Sequence, residues 1–401
     1  MYTTITTTRT LTNRIRSIDT VRGLIIIVMA LDHVRDFFHI AGATGDPTDL
    51  ATTTPALFLT RWITHYCAPS FMMLSGLSAY LSGLSKTAAE KSAFLIKRGF
   101  WLILVEMVFM TFAFTFDVYY KTLFFAVFWA LGGAMIVLGI AVRFASPKTV
   151  LVLGLALVLG HNLLDYVKLQ ENSAADILLR IFFTGRGTFL PRPDGGAIVF
   201  LYVIFPWAGI MMSGYGLGML YNRQEDPARR RKLLVWIGST LTLLFVVLRF
   251  INGYGDPAPW SVQDTGIKTF MSFLNVTKYP PSLLFTFMTQ GPILILLALT
   301  EQTDNAFSRI CTVYGRVPFF FFLVHFYVIH IMTMVTVFLS GYTWQQATDD
   351  SLFFKFRPNE FGYPLGQTYL IWMFIVVALY WPCKWYGEYR ARKRTWWLSY
   401  L

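Results

Sequence analysis

The chain has 401 residues, of which 55% are hydrophobic, 17% aromatic and only 14% charged, with a mean hydropathy of +0.52. Soluble domains carry about a quarter charged residues, so this composition excludes an ordinary soluble protein and points to one embedded in a lipid bilayer. The net charge of +12 would suit nucleic acid, but Lys and Arg gather at the ends of apolar segments, as membrane topology requires, and nucleic-acid binding is set aside.

A Thr-rich, basic stretch (1–13), expected to be a flexible cytoplasmic tail without a cleavage site, precedes a single membrane domain over 14–401. The apolar pattern predicts an all-α, polytopic helix bundle of about ten spans. They lie near 18–40, 56–84, 97–117, 121–143, 148–166, 196–221, 232–252, 281–300, 314–340 and 368–387. With the N-terminus inside, the inner segments hold about twice as many Lys and Arg as the outer ones. This places both termini in the cytoplasm, with the inner (cytoplasmic) membrane as the expected location. The inner connections are short. The outer ones, 41–55, 167–195, 253–280 and 341–367, are long and rich in Gly, Pro and aromatic residues, the kind of loop that carries binding. One of them contains "ADILLRIFFTG", whose helical apolar spacing suits the membrane interface.

The first span, "SIDTVRGLIIIVMALDHVRDFFH" (17–39), holds an unusual load of charge. A charged side chain at the bilayer centre costs about 2.5–3.5 kcal/mol on the insertion scale, so such groups turn inward, pair or reach for an interface. Arg22 and His33 are eleven residues apart, which puts them on one helix face about 16 Å apart along the axis, the wall of a polar path. Asp19, one turn before Arg22, can pair with it. Asp32 and Asp36 form an adjacent strip, either of which can pair with Arg35. Helix-end salt bridges without function remain the alternative for Asp19, Arg35 and Asp36.

Further along, His65 stands at the outer mouth of the second span, and His39 suits the interface. Trp207, with Pro206, is either interface packing or a surface for stacking a sugar. In "NVTKYPP", Asn275, Lys278 and Tyr279 bring polar groups to a span whose rigid start is Pro280–Pro281; they form either an acceptor-binding loop or part of the aromatic belt. His325 and His330 are five apart, about 140° around a helix, so only one of them would face a site. His161, beside Asn162 and Asp165, suits a structural role. Cys67, Cys311 and Cys383 read as small core residues, and no His, Cys or carboxylate spacing makes a metal site.

"RIRSIDTVRGLIIIVMALDH" resembles the first helix of the membrane family that includes heparan-alpha-glucosaminide N-acetyltransferase. The resemblance continues through "HYCAPSFMMLSGLSAYLSG", "YVIFPWAGIMMSGYGLG", "FLNVTKYPPSLLFTFMTQGP", "YGRVPFFFFLVHFYVIH" and the closing "WWLSYL" (396–401). The wider superfamily of transmembrane acyltransferases is similar in carrying a basic residue followed eleven positions later by a His, as Arg22 and His33 are. The resemblance implies a coenzyme A thioester, acetyl-CoA, used from the cytoplasmic side as acyl donor, and an amino sugar or polysaccharide as acceptor on the far side. It also implies a histidine after the first helix. The loop "DHVRDFFHIAGATGDP" differs there in length, so His33, His39 and His65 all stand as candidates.

Acyl transfer needs a base, donors for the oxyanion and a water-poor meeting place. His33 is the preferred base, with Asp32 or Asp36 supporting the ring, His65 facing it, and Arg22 stabilising charge or holding the donor. Asp19, Asp36, His39, Trp207, Asn275, Lys278, Tyr279 and His325 are the candidates for binding substrate. The same charges would also suit a transporter with an Arg/His/Asp relay, or a scaffold in which they are structural. The sequence leaves a homodimer open.

Overall fold

The computed structural model describes residues 15–42, 44–185, 188–222, 226–393 and 395. The tail 1–13, the closing 396–401, Arg186 and Arg223 lie outside the described residues. The chain is mostly helical. It opens with α1 (Arg16–Phe38), α2 (Pro55–Thr64), α3 (Cys67–Ser82) and α4 (Ala88–Val105), which runs through a π-helical turn into α5 (Thr111–Thr115). There follow α6 (Val127–Phe144), α7 (Pro147–Gly160), α8 (Ala174–Leu179), α9 (Phe205–Leu217), α10 (Pro227–Ile251) and α11 (Gly266–Leu274). The last are α12 (Leu283–Thr300), α13 (Ala306–Gly315), α14 (Pro318–Leu339), α15 (Trp344–Thr348) and α16 (Leu365–Arg392). Six helices among the described residues are long and apolar enough to cross a membrane: α6, α7 with its 3-10 extension, α10, α12, α14 and α16.

Two expectations are corrected. The stretch 56–84 is not one helix but two, broken between Thr64 and Cys67. Pro69 has no N–H to offer the His65 carbonyl four residues earlier, so the ladder of helical hydrogen bonds is interrupted there. The chain is also not purely helical. The predicted spans at 121–143 and 196–221 each begin with a strand, β1 (Thr122–Phe125) and β3 (Ala197–Phe200), and β2 (Thr188–Pro191) completes a small sheet of order β1-β3-β2. β1 and β3 are parallel, β2 and β3 antiparallel. Short apolar runs such as "TLFF" do not declare helix or strand by periodicity.

Packing around α1 is close. At Gly23 a Cβ would fall 1.7 Å from the Cys311 carbonyl oxygen, and at Gly315 1.8 Å from that of Asp19, so α1 and α13 meet backbone to backbone. Bare backbone of this kind is how helices associate where lipid removes the hydrophobic drive. The three cysteines are free and buried.

The long loops gather over the C-terminal end of α1. Tyr363 N–H donates to Phe38 O (2.7 Å) and Ile40 N–H to Tyr363 O (3.1 Å), while the Asn275 amide donates to Thr48 O (3.0 Å). Two buried arginines hold this cap. Arg249 donates to the carbonyls of Ala258, Ser272, Phe273 and Asn275 at 2.7–3.0 Å, and Arg357 to those of Phe37, His39 and Pro358 at 2.7–3.2 Å. Each serves backbone oxygens that irregular chain would otherwise leave without donors. Glu106 does the reverse: its buried carboxylate accepts from the N–H groups of Ala126 (3.1 Å) and Phe128 (2.7 Å), capping α6 from a different helix.

Gly23→Leu is expected to prevent α1 from docking on α13, giving aggregated protein on size exclusion in detergent. Gly160→Ala, which meets open space, leaves the elution profile and melting temperature unchanged. Glu106→Ala strands two buried N–H groups and lowers stability by about 2 kcal/mol, read as a fall in the thermal unfolding midpoint.

Candidate active site

The C-terminal half of α1 carries Asp32, His33, Arg35 and Asp36. Asp32 is the hub. It accepts from the Arg61 guanidinium and from Thr64 Oγ1 (2.9 Å), with Arg35 at 3.1 Å, and Arg35 in turn reaches Asp36 at 2.5 Å. The break after α2 makes this arrangement: the last turn of α2 turns Arg61 and Thr64 onto α1 and leaves His65 at the bend. A buried pair of this kind is weak as a source of stability, but losing one member strands a charge.

His33 faces the other way, onto α14. Its Nδ1 lies 2.7 Å from His325 Nε2, and His325 Nδ1 lies 2.9 Å from the Phe321 carbonyl oxygen. A carbonyl only accepts, so His325 Nδ1 carries the proton and a neutral His325 presents Nε2 as acceptor. His33 must then donate from Nδ1, which leaves His33 Nε2 with its lone pair. Phe326 (ring centroids 4.2 Å) and Phe322 (5.8 Å) flank the ring. The pair thus fixes a tautomer, an orientation and a basic nitrogen.

Beyond Asp32 a cleft of about 480 Å³ opens under the loop cap, lined by Arg61, His65, Thr48, Asn275, Lys278 and Tyr279 among others. His65 is buried (4% exposed), with its ring edge against Phe285 at 5.6 Å and its Nδ1 without a hydrogen-bond partner. Tyr279 meets Tyr202 edge-on at 5.1 Å, and Tyr202 meets Trp207 at 5.3 Å. Trp207 is wholly buried rather than interfacial. Asp32 joins the cleft to the histidine pair, since it follows Leu31 directly before His33 and is held by the cleft residue Arg61.

The remaining sequence candidates fall elsewhere. Arg22 and Asp19 pair at 3.1 Å near the start of α1, where Arg22 also donates to Ser78 Oγ (2.6 Å) and Gly315 O (3.3 Å). Between Arg22 and His33 the face is filled by Ile26 and Met29, both buried. A second cavity, of about 290 Å³, lies at that end among Arg16, Arg309 and Arg316. Asp304 there accepts from Arg16 and Arg309, each at 2.8 Å, and the two hydrogen bonds hold its carboxyl well below the usual range. His39 is buried: its Nδ1 accepts from Ala41 N–H (3.2 Å) and its carbonyl from Arg357. His330 has its ring nitrogens 2.8 and 2.7 Å from the carbonyls of Ala113 and Lys355, and His161 sits against those of Leu157 and Val158. Among the described residues no group of three or more His, Cys, Asp or Glu is placed to hold a metal ion.

Sequence reasoning missed Arg61 and Thr64. In the sequence Arg61 reads as a topology charge near the outer end of a predicted span. Its signal was a lone cation inside "LFLTRWITHYC", flanked by apolar residues that a helix-end charge would not have on both sides.

A family model described as "Heparan-alpha-glucosaminide N-acetyltransferase, catalytic" matches residues 14–248. No curated protein matches the chain.

Arg61→Ala should leave Asp32 with a poorer set of partners in the interior and lower stability by about 3–5 kcal/mol, whereas Thr64→Val, which removes one hydroxyl donor, lowers it by about 1 kcal/mol. Thermal unfolding of the two variants in the same detergent checks the order; equal melting temperatures would remove Asp32 as the hub.

Proposed function

The chain belongs to the family of heparan-alpha-glucosaminide N-acetyltransferase catalytic domains, whose model spans more than half of it, and on that premise we propose that it is a membrane acetyltransferase that uses His33 as its base. The donor is acetyl-CoA and the acceptor an amino sugar or glycan hydroxyl. The observation that carries this reading is the His33–His325 contact, which leaves His33 Nε2 free to take a proton.

In the reaction, His33 Nε2 removes a proton from the acceptor amine or hydroxyl as its heteroatom attacks the thioester carbonyl carbon. The carbonyl electron pair moves onto oxygen. As the tetrahedral intermediate collapses, the carbon–sulfur bond breaks, the acetyl group stays on the acceptor, and the coenzyme A thiolate takes the proton back from His33. Proton transfer by a positioned side chain contributes about 10²–10⁴-fold. The imidazolium that forms meanwhile is near the Asp32 carboxylate, one residue away in the chain. The cleft beneath the loops is the acceptor's way in, with Asn275, Lys278 and Tyr279 on its wall; His33 is not on that wall, so the reacting group passes beyond Arg61 and Asp32 to reach Nε2. The asymmetry of Lys and Arg supports an orientation with both termini and the Arg22 end in the cytoplasm, so the donor enters from that side and the acceptor from the other.

Protein purified in detergent, incubated with acetyl-CoA and a panel of amino sugars, is expected to release free thiol. His33→Ala should reduce kcat by about 10²–10⁴-fold; an unchanged rate would remove His33 as the base. His325→Leu is expected to fall nearly as far, since it frees the ring of His33. His325→Gln, whose amide can accept from His33 and donate to Phe321 O, should recover a large part of kcat with little change in KM. Loss of KM alone in both His325 variants would contradict a positioning role.

A further inference from the structure

The cleft under the loop cap holds more positive charge than it neutralises. Arg35, Arg61 and Lys278 act electrostatically on Asp32, and the carboxylates among them are Asp32 and Asp36. Asp32 is engaged by Arg61 and Arg35, and Asp36 by Arg35. Lys278 is buried (8% exposed), and among the described residues no carboxylate lies within 4 Å of its ammonium, which sits 5.1 Å from the Tyr279 ring centroid. Asp46, the acidic residue on the rim, is exposed and turned onto its own loop, accepting from Thr48 N–H (2.8 Å) and Oγ1 (2.7 Å). A buried cation without a counter-charge is costly, and the cost is removed when an anion arrives. A second, independent feature lies at the same place: His65 is a lining residue of the cleft, its side chain more than nine-tenths buried, and its Nδ1 has no hydrogen-bond partner.

We propose that the cleft bounded by Arg61, His65 and Lys278 is an anion subsite that takes a carboxylate, sulfate or phosphate group of the substrate, with Lys278 as its charge and His65 Nδ1 as a polar partner. Arg61 lends its remaining N–H donors while keeping Asp32. The ligand would be a sugar that bears an acidic group or the phosphates of the donor; the two share this chemistry. The proposal rests on the transferase reading only in calling that ligand a substrate. It makes Lys278 a specificity residue: the site selects acidic molecules over neutral ones of the same shape.

The test is direct binding to the full chain in detergent, by calorimetry without any acetyl donor. The probes are glucuronate against glucose, glucosamine 6-phosphate against glucosamine, and coenzyme A. The anionic member of a pair, or coenzyme A, is expected to bind at least about tenfold tighter than its neutral counterpart or than free pantetheine. In Lys278→Gln that preference should vanish, in Lys278→Arg it should return, and in Lys268→Gln, an exposed lysine paired with Asp264, it should stay. Preference for the acidic sugars assigns the anion to the acceptor, and preference for coenzyme A assigns it to the donor; either supports the subsite. No preference for any anion, or a preference that survives in Lys278→Gln, overturns it. Lys278-dependent binding in a protein that releases no thiol would end the transferase reading and leave the subsite standing. Thiol release with indifference to charge would do the opposite.

Discussion

A carboxylate inside an apolar bundle has to be neutralised by groups whose positions are fixed, and Asp32 sets that demand for everything around it. Its partners come from two helices. Arg35 is one turn along α1, where helical spacing delivers it without further help. Arg61 and Thr64 must come from elsewhere, and they come from the last turn of α2 because the chain breaks immediately afterwards. The interruption at Pro69 separates two helices that serve different purposes. α2 meets the charge, while α3 packs against α1 and α9.

Much of this was legible, and the missing part has a physical cause. The pairs within α1 of Asp19 with Arg22 and of Asp32 with Arg35 are one turn apart and follow from the 3.6-residue repeat, and the structure places them so; the contact of Arg35 with its neighbour Asp36 does not follow from it. The apolar segments announce helices because lipid tolerates nothing else over that length. What the sequence hides are contacts whose partners are far apart in the chain. His33 and His325 are separated by 292 residues, and no local periodicity connects them. Arg61 was hidden differently: a cation near the end of a span reads as a topology charge unless the apolar residues on both its sides are weighed. The strands were hidden because four apolar residues before a helix start look like the helix.

The loops over the cleft raise the same problem as Asp32 with the opposite sign. Irregular backbone leaves carbonyl oxygens without donors, and near lipid water is a poor substitute. Arg249 and Arg357 meet this by spreading the donors of one guanidinium over several carbonyls from different turns. Lysine, a point charge with no planar fork, would not span them. The consequence is a cap held by side chains rooted in α10 and in the loop before α16. The segments bearing Asn275, Lys278 and Tyr279 are positioned from below and not by their own secondary structure.

That leaves the choice of partner for His33. A carboxylate one residue away would seem the natural support for a histidine base, yet Asp32 is about 100° around the helix and already shared by Arg35, Arg61 and Thr64. His325 is neutral in the hydrogen-bond pattern that Phe321 imposes, so it orients the ring without bringing a second charge into the bundle. In water the distinction would matter little. In a low-dielectric interior an ion pair must repay the desolvation of both its members, whereas two neutral imidazoles have no such debt. The arrangement separates two tasks that one carboxylate would otherwise combine. His325 sets the geometry before any proton moves, and the Asp32 hub supplies a nearby negative charge when the imidazolium appears.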